Sequence, residues 1–138
     1  MFHSRQSTHQ ILKRLLSNGP LTALPIRRAD EALLLRMAAA RFEPGRPYRE
    51  AEVNEVLERW LATFCAPHGI DHVTLRRRLV DMRLLVRDTA GAEYRLAPGM
   101  GRELAADATL KEEPARVLDE IREERETRKR HYVPSDVQ

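Results

Sequence analysis

The stretch DHVTLRRRLVDMRLLVRDTAGAEY, residues 71–94, constrains the fold more than any other. Asp71 reads as an N-cap: its carboxylate can accept from the free amides of the first turn and meets the positive end of the helix dipole. Leu75, Leu79 and Met82 follow at spacings of four and three, one face of a helix, and Val80 widens that face. Leu84-Leu85-Val86 is a short apolar run, and Asp88-Thr89-Ala90-Gly91 carries turn chemistry, with Gly91 able to take φ > 0. Glu93, Tyr94, Arg95 and Leu96 alternate polar and apolar, as a half-buried strand does. Helix, strand, tight turn and strand in this order make the second half of a winged helix-turn-helix, with the hairpin as the wing.

Arg76, Arg77 and Arg78 cannot share one side of that helix, because successive residues are rotated by about 100°. At least one faces solvent and one leans toward the core edge. The third helix of a winged helix enters the major groove, where Arg can contact phosphates or the O6/N7 edge of guanine. The candidate DNA-contacting set is therefore His72 and Thr74 at the helix start, Arg76, Arg77 and Arg78 within it, and Arg87 and Arg95 on the wing. The competing reading ties Arg76 or Arg77 to Asp81, Glu52 or Glu50 in ion pairs that hold the helices together. Arg77 and Asp81 are one turn apart on the same face.

Upstream, residues 21–28 read as extended around Pro25, and Ala29 to Arg41 as a helix with Leu33, Leu34, Met37 and Ala40 as its apolar stripe. Glu43-Pro44-Gly45-Arg46-Pro47 breaks that helix. Tyr48 falls in a very short strand that can pair with the wing. Glu50 to Phe64 reads as a helix burying Val53, Leu57, Trp60 (or Val56), Leu61 and Phe64, with Glu50 and Glu52 in the first turn, where the dipole favours acids. Asn54 is a polar residue within this core-forming pattern, placed to bond a loop backbone or a domain contact.

Tyr48, Glu50, Glu52, Val53, Asn54 and Leu57 form Y-x-E-x-E-V-N-x-x-L. Asp71, Leu75, Arg76, Arg77, Leu79, Val80, Asp81, Leu85 and Arg87 form D-x-x-x-L-R-R-x-L-V-D-x-x-x-L-x-R, and Gly91 and Tyr94 complete G-x-x-Y. On these motifs residues 22–96 resemble a bacterial family catalogued as domain of unknown function 2087. The resemblance implies a winged-helix-like domain, found alone or beside helix-turn-helix regulators, with no established activity. Arg49 departs from the pattern, standing where a Ser or Thr would make the usual N-cap.

The flanks read as helical extensions. Residues 1–21 hold Ile11, Leu12, Leu15 and Leu16 at helical spacing with Arg5, Lys13 and Arg14 and no acid, and end in Asn18-Gly19-Pro20. This is a helix docked on the core or in a dimer seam, or a basic arm toward DNA phosphates. Residues 97–138 begin with the break APGMG, continue with a weak helix over 102–108, and end in a helix opened by Pro114 whose only apolar face is Val117, Leu118 and Ile121. From Lys111 to Arg130 acids and bases balance at seven each, so this tail reads as a solvated helix or a docking helix for a second subunit.

Composition narrows the function class. The chain has 24 bases against 21 acids, a formal charge of +3, and only three of the bases are Lys. Residues 27–96 carry thirteen Arg against eleven acids, which does not by itself mark a nucleic-acid binder. One cysteine, Cys65, excludes an intramolecular disulfide and fits a reducing cytoplasm. No apolar run is long enough for a signal peptide or membrane span, so the expectation is a cytoplasmic protein with no membrane association. Cys65, His68 and His72 give C-x2-H-x3-H, ligand types that zinc prefers. The set is one ligand short, and Pro67 and Gly69 mark an ordinary turn. No nucleophile elbow, phosphate loop, zinc-protease motif or dinucleotide fingerprint occurs, so no enzyme and no cofactor are expected.

The fold expected is mainly α with a small β-hairpin: a winged helix-turn-helix over 22–96 with helical extensions at 1–21 and 97–138. The leading function is a DNA-binding transcriptional regulator or a module of one, acting on double-stranded DNA, with a homodimer through the terminal helices matching paired half-sites. The second is a winged-helix protein-interaction module that binds a protein partner and never touches DNA. If acids interleave with the arginines on the surface, the second gains. A third is a thiol- or metal-responsive sensor built on Cys65 and its histidines.

Overall fold

The computed structural model describes residues 7–90 and 93–131. The Gly91 turn position and Arg5 of the basic arm lie outside the described residues. Helix α1 (Thr8–Leu15) starts at Ser7, whose Oγ accepts from the Gln10 amide at 3.1 Å while Gln10 Oε1 accepts from the Ser7 amide at 2.9 Å. That reciprocal pair is a capping box and satisfies two of the orphan donors of the first turn. Helix α2 (Arg28–Ala39) follows the extended segment, in which Leu21 bridges Cys65 in parallel.

Strand β1 (Tyr48–Arg49) leads directly into α3 (Glu50–Leu61), and α4 (His72–Asp81) follows after a turn. Glu52 Oε1 accepts from the Arg49 backbone N–H at 3.0 Å, the glutamate half of a capping box. Arginine has no acceptor to return the bond, so α3 keeps half the cap that a Ser or Thr would complete. The turn before α4 is packed tightly: a Cβ on Gly69 would lie 2.9 Å from the carbonyl oxygens of both Ala66 and Leu21.

Strands β2 (Leu85–Arg87) and β3 (Glu93–Leu96) form the hairpin, and the antiparallel sheet runs β1-β3-β2 with Tyr48 opposite Tyr94, Leu85 opposite Leu96 and Arg87 opposite Tyr94. Helix, short strand, helix, turn, helix and hairpin is the order expected for a winged-helix-like unit. Its core is aliphatic. Val53 and Leu57 of α3, Leu75 and Leu79 of α4, and Leu34 and Leu35 of α2 are all fully buried, with Leu85, Tyr94 and Leu96 sealing them from the sheet.

Two expected apolar positions are corrected. Met82 is 50% exposed. The helix ends at Asp81, and Arg83 takes φ 60°, so the chain turns away before a third apolar turn forms. Ala40 is exposed: α2 ends at Ala39, two residues before the expected Arg41, and Ala38 and Ala39 take the buried places.

The extensions fold back on the unit. Helix α5 (Met100–Ala106) begins two residues earlier than the expected piece, with Gly101 against Pro44, and a 3-10 turn (Ala108–Lys111) joins it to α6 (Pro114–Arg130). Helix α6 packs along α1, with Leu12 of α1 and Leu16 just past its end buried on one side and Val117, Leu118 and Ile121 on the other. The apolar faces that suggested a seam between subunits are thus covered within one chain. From Arg122 onward α6 is exposed on every side.

Candidate nucleic-acid interface

Rotation along α4 sends its three arginines to three different neighbours. Arg76 turns toward α3 and the sheet, and its side chain is only 13% exposed. It donates to Asn54 Oδ1, lies 3.6 Å from Glu50 and sits 5.9 Å from the centre of the Tyr94 ring. Tyr94 in turn donates its hydroxyl proton to Glu50 at 3.0 Å. Arg78 turns the other way, to α2, where Nε and Nη2 reach the two Glu31 oxygens at 3.0 and 2.7 Å. That hydrogen-bonded guanidinium holds the Glu31 carboxyl below the usual range and raises Arg78. Arg77 faces solvent and, among the described residues, forms no ion pair, with Asp81 included.

The ends of α4 are also committed. Asp71 accepts from the Val73 amide at 3.3 Å and from the Thr74 hydroxyl at 3.2 Å, and these bonds hold its carboxyl below the usual range. Thr74 is exposed but serves the cap. His72 Nε2 lies 3.3 Å from Glu58 of α3.

The sheet register separates the two wing arginines. Arg87 stands opposite Tyr94, with its guanidinium 5.8 Å from that ring centre, so it shares the face turned to α4. Arg95 stands opposite Val86 on the reverse face, 3.7 Å from Glu93. A single approaching backbone cannot meet both in the same way. The structure thus brings together Arg76, Arg77 and Arg87, which with Val80, Asp81 and Tyr94 line an open notch of about 200 Å³ where α4 meets the hairpin. His72, Thr74, Arg78 and Arg95 lie elsewhere.

The proposed metal set is not assembled: among the described residues no group of three His, Cys, Asp or Glu is placed to hold an ion. Burial pushes the Cys65 thiol up to about 12, which keeps the metal-free thiol protonated and unreactive near neutral pH. His68 takes φ 62° in the turn before α4. Among the described residues no helix is long and apolar enough to cross a membrane.

Sequence reasoning missed Glu31 and Asn54 as the partners that decide the fate of Arg78 and Arg76. They lie 47 and 22 residues away; Asn54 stands out as a polar residue in a core-forming pattern, but nothing local pairs either residue with its arginine.

A family model described as an uncharacterized protein conserved in bacteria, domain of unknown function 2087, matches residues 20–96. The chain belongs to that family. The matched span of the DUF2087 domain covers more than half of the chain; it holds α2, α3, α4 and the whole sheet, ends with β3, and leaves out α1, α5 and α6. No curated protein and no solved structure matches the chain.

Proposed function

We propose that this DUF2087 domain is a winged-helix module that contacts double-stranded DNA, in the service of transcription regulation, with a small electrostatic footprint. The observation that carries this reading is the pair Arg77 and Arg87. Both are exposed, neither is ion-paired among the described residues, and both line the notch between α4 and the hairpin. Arg83, exposed just past the end of α4, adds a third cation.

Three phosphate contacts set the scale. The slope of log affinity against log salt would be about −2.7, so affinity would fall about 40-fold between 50 and 200 mM salt. A protein with six to ten contacts loses a thousandfold or more over the same range. The test is titration of the full chain against a labelled mixed-sequence duplex across salt. A slope near −3, reduced in Arg77→Ala, supports the reading. No binding at about 20 mM salt by the folded protein sinks it.

A specific observation favours the protein-interaction reading as the second. Asp81 lies among the notch arginines and exposed Asp88 follows Arg87, while Arg76, Arg78 and Arg95 are balanced by Glu50, Glu31 and Glu93. A mixed surface of this kind suits a protein partner of mixed charge. Folded protein that ignores duplex at low salt but is retained by a bacterial partner would establish it. A homodimer on paired half-sites would need a surface other than the α1–α6 seam, whose apolar residues are already covered.

A further inference from the structure

We infer that the notch between α4 and the hairpin is a site for one phosphodiester oxyanion. The inference deepens the duplex-binding reading and rests on it only for the source of the phosphate. Arg76, Arg77 and Arg87 line the notch with Val80, Asp81 and Tyr94. The guanidinium carbons of Arg76 and Arg87 lie 5.9 and 5.8 Å from one ring centroid, so they are less than about 12 Å apart.

Two features make this more than a patch of basic residues. Arg76 is held in place by Asn54 and Glu50 and is mostly covered, so little side-chain freedom remains to be lost on binding. An arginine carries five N–H donors, and the two named contacts leave others for an incoming oxygen. Charge is the second feature. Three guanidiniums face Asp81 in the notch and Glu50 beneath Arg76, a local excess of one positive charge. A phosphodiester, with a single negative charge, brings the site to neutrality. A phosphate monoester near −2 overshoots it. The notch, of about 200 Å³ and open to solvent, has room for a phosphate group.

The test follows the arginine Nε–Hε resonances of the full chain during titration with dimethyl phosphate, with sodium chloride at matched ionic strength as control. The expected result is saturable shifts of Arg76, Arg77 and Arg87 with a Kd of about 1–10 mM. They should weaken at least fivefold in Arg87→Gln and in Arg77→Gln but not in Arg122→Gln on α6. Unsaturable shifts spread over all surface arginines overturn the site, as does unaltered binding in both notch variants. Arg76→Lys, which keeps the charge without the planar fork, should fold and bind more weakly; equal binding also counts against the site.

A second arm uses the mixed-sequence duplex, where Arg87→Gln should lower the salt slope by about 0.9. Dimethyl phosphate binding without duplex binding keeps the site and assigns it to a small phosphodiester, while the DNA reading falls. Duplex binding with an unaltered slope in Arg87→Gln and no dimethyl phosphate binding overturns the site and leaves the DNA reading standing.

Discussion

Replacing Arg76 and its neighbour Arg77 by alanine in separate proteins separates structural from free arginine most sharply. Arg76→Ala removes a side chain that is 13% exposed, takes the donor from Asn54 and leaves Glu50 with Tyr94 alone. Alanine keeps Cβ, so two methylenes of a stem largely out of water are lost, worth up to about 1.6 kcal/mol at about 0.8 each. The charge-assisted hydrogen bond to Asn54 is worth about 1.5 kcal/mol. Asn54 is only half-buried, so water can replace part of that bond. The net loss is about 2.5 kcal/mol, a fall of roughly 10 °C in Tm for a chain of this size. Arg77→Ala touches an exposed side chain without an ion pair and should stay within about 0.5 kcal/mol of the parent. Urea unfolding followed by far-UV circular dichroism reads both. A double-mutant cycle of Arg76→Ala with Asn54→Ala should return about 1 kcal/mol of coupling. Equal midpoints for the two single variants, or a larger loss in Arg77→Ala, would refute the assignment of Arg76 to the interior of the fold.

Three further outcomes follow from the ionisable groups. Arg78 lowers the Glu31 pKa, so the stability it lends is full above the ordinary glutamate value of 4.5 and is lost as pH falls through the lower folded value. The urea midpoint difference between parent and Glu31→Gln should therefore be present at pH 7 and shrink as pH falls below 4.5. His9 behaves in the opposite sense: its hydrogen bond with Glu112, with Glu120 assisting, raises its pKa above 6.5. The packing of α1 against the end of the 3-10 turn and α6 thus gains stability that is full below 6.5 and is lost as pH rises through the folded value, and Glu112→Gln should return the His9 NMR titration toward 6.5. Cys65, raised from 9.0 to about 12, should react with a disulfide reagent at pH 8 about a thousandfold more slowly than after unfolding in urea, and Cys65→Ser should leave metal content unchanged.

The local architecture was legible because its signals are local. Asp71 caps α4 as its position before the leucine stripe implies, Pro114 opens α6, and Tyr48 pairs with the hairpin. Met82 and Ala40 were misjudged for a reason of the same kind. Periodicity continues through a helix end that is set by one residue's backbone, here the positive φ of Arg83 and the early stop of α2.

By itself the sequence determined that Arg76, Arg77 and Arg78 diverge, because a helix turns about 100° per residue whatever surrounds it. It also determined that α3 would start on glutamates and that Cys65 would have no disulfide partner in the chain. Only the tertiary structure decided what each arginine meets. Packing α3 on α4 brings Asn54 and Glu50 to Arg76, and packing α2 on α4 brings Glu31 to Arg78. The sheet register turns Arg87 toward the notch and Arg95 away from it. Charge along a chain is additive and readable, but whether a given cation is free depends on which distant acid the core packing places within a few ångströms of it. That is a property of contacts between segments far apart in sequence, and among the described residues it left Arg77 and Arg87 exposed and without an ion pair.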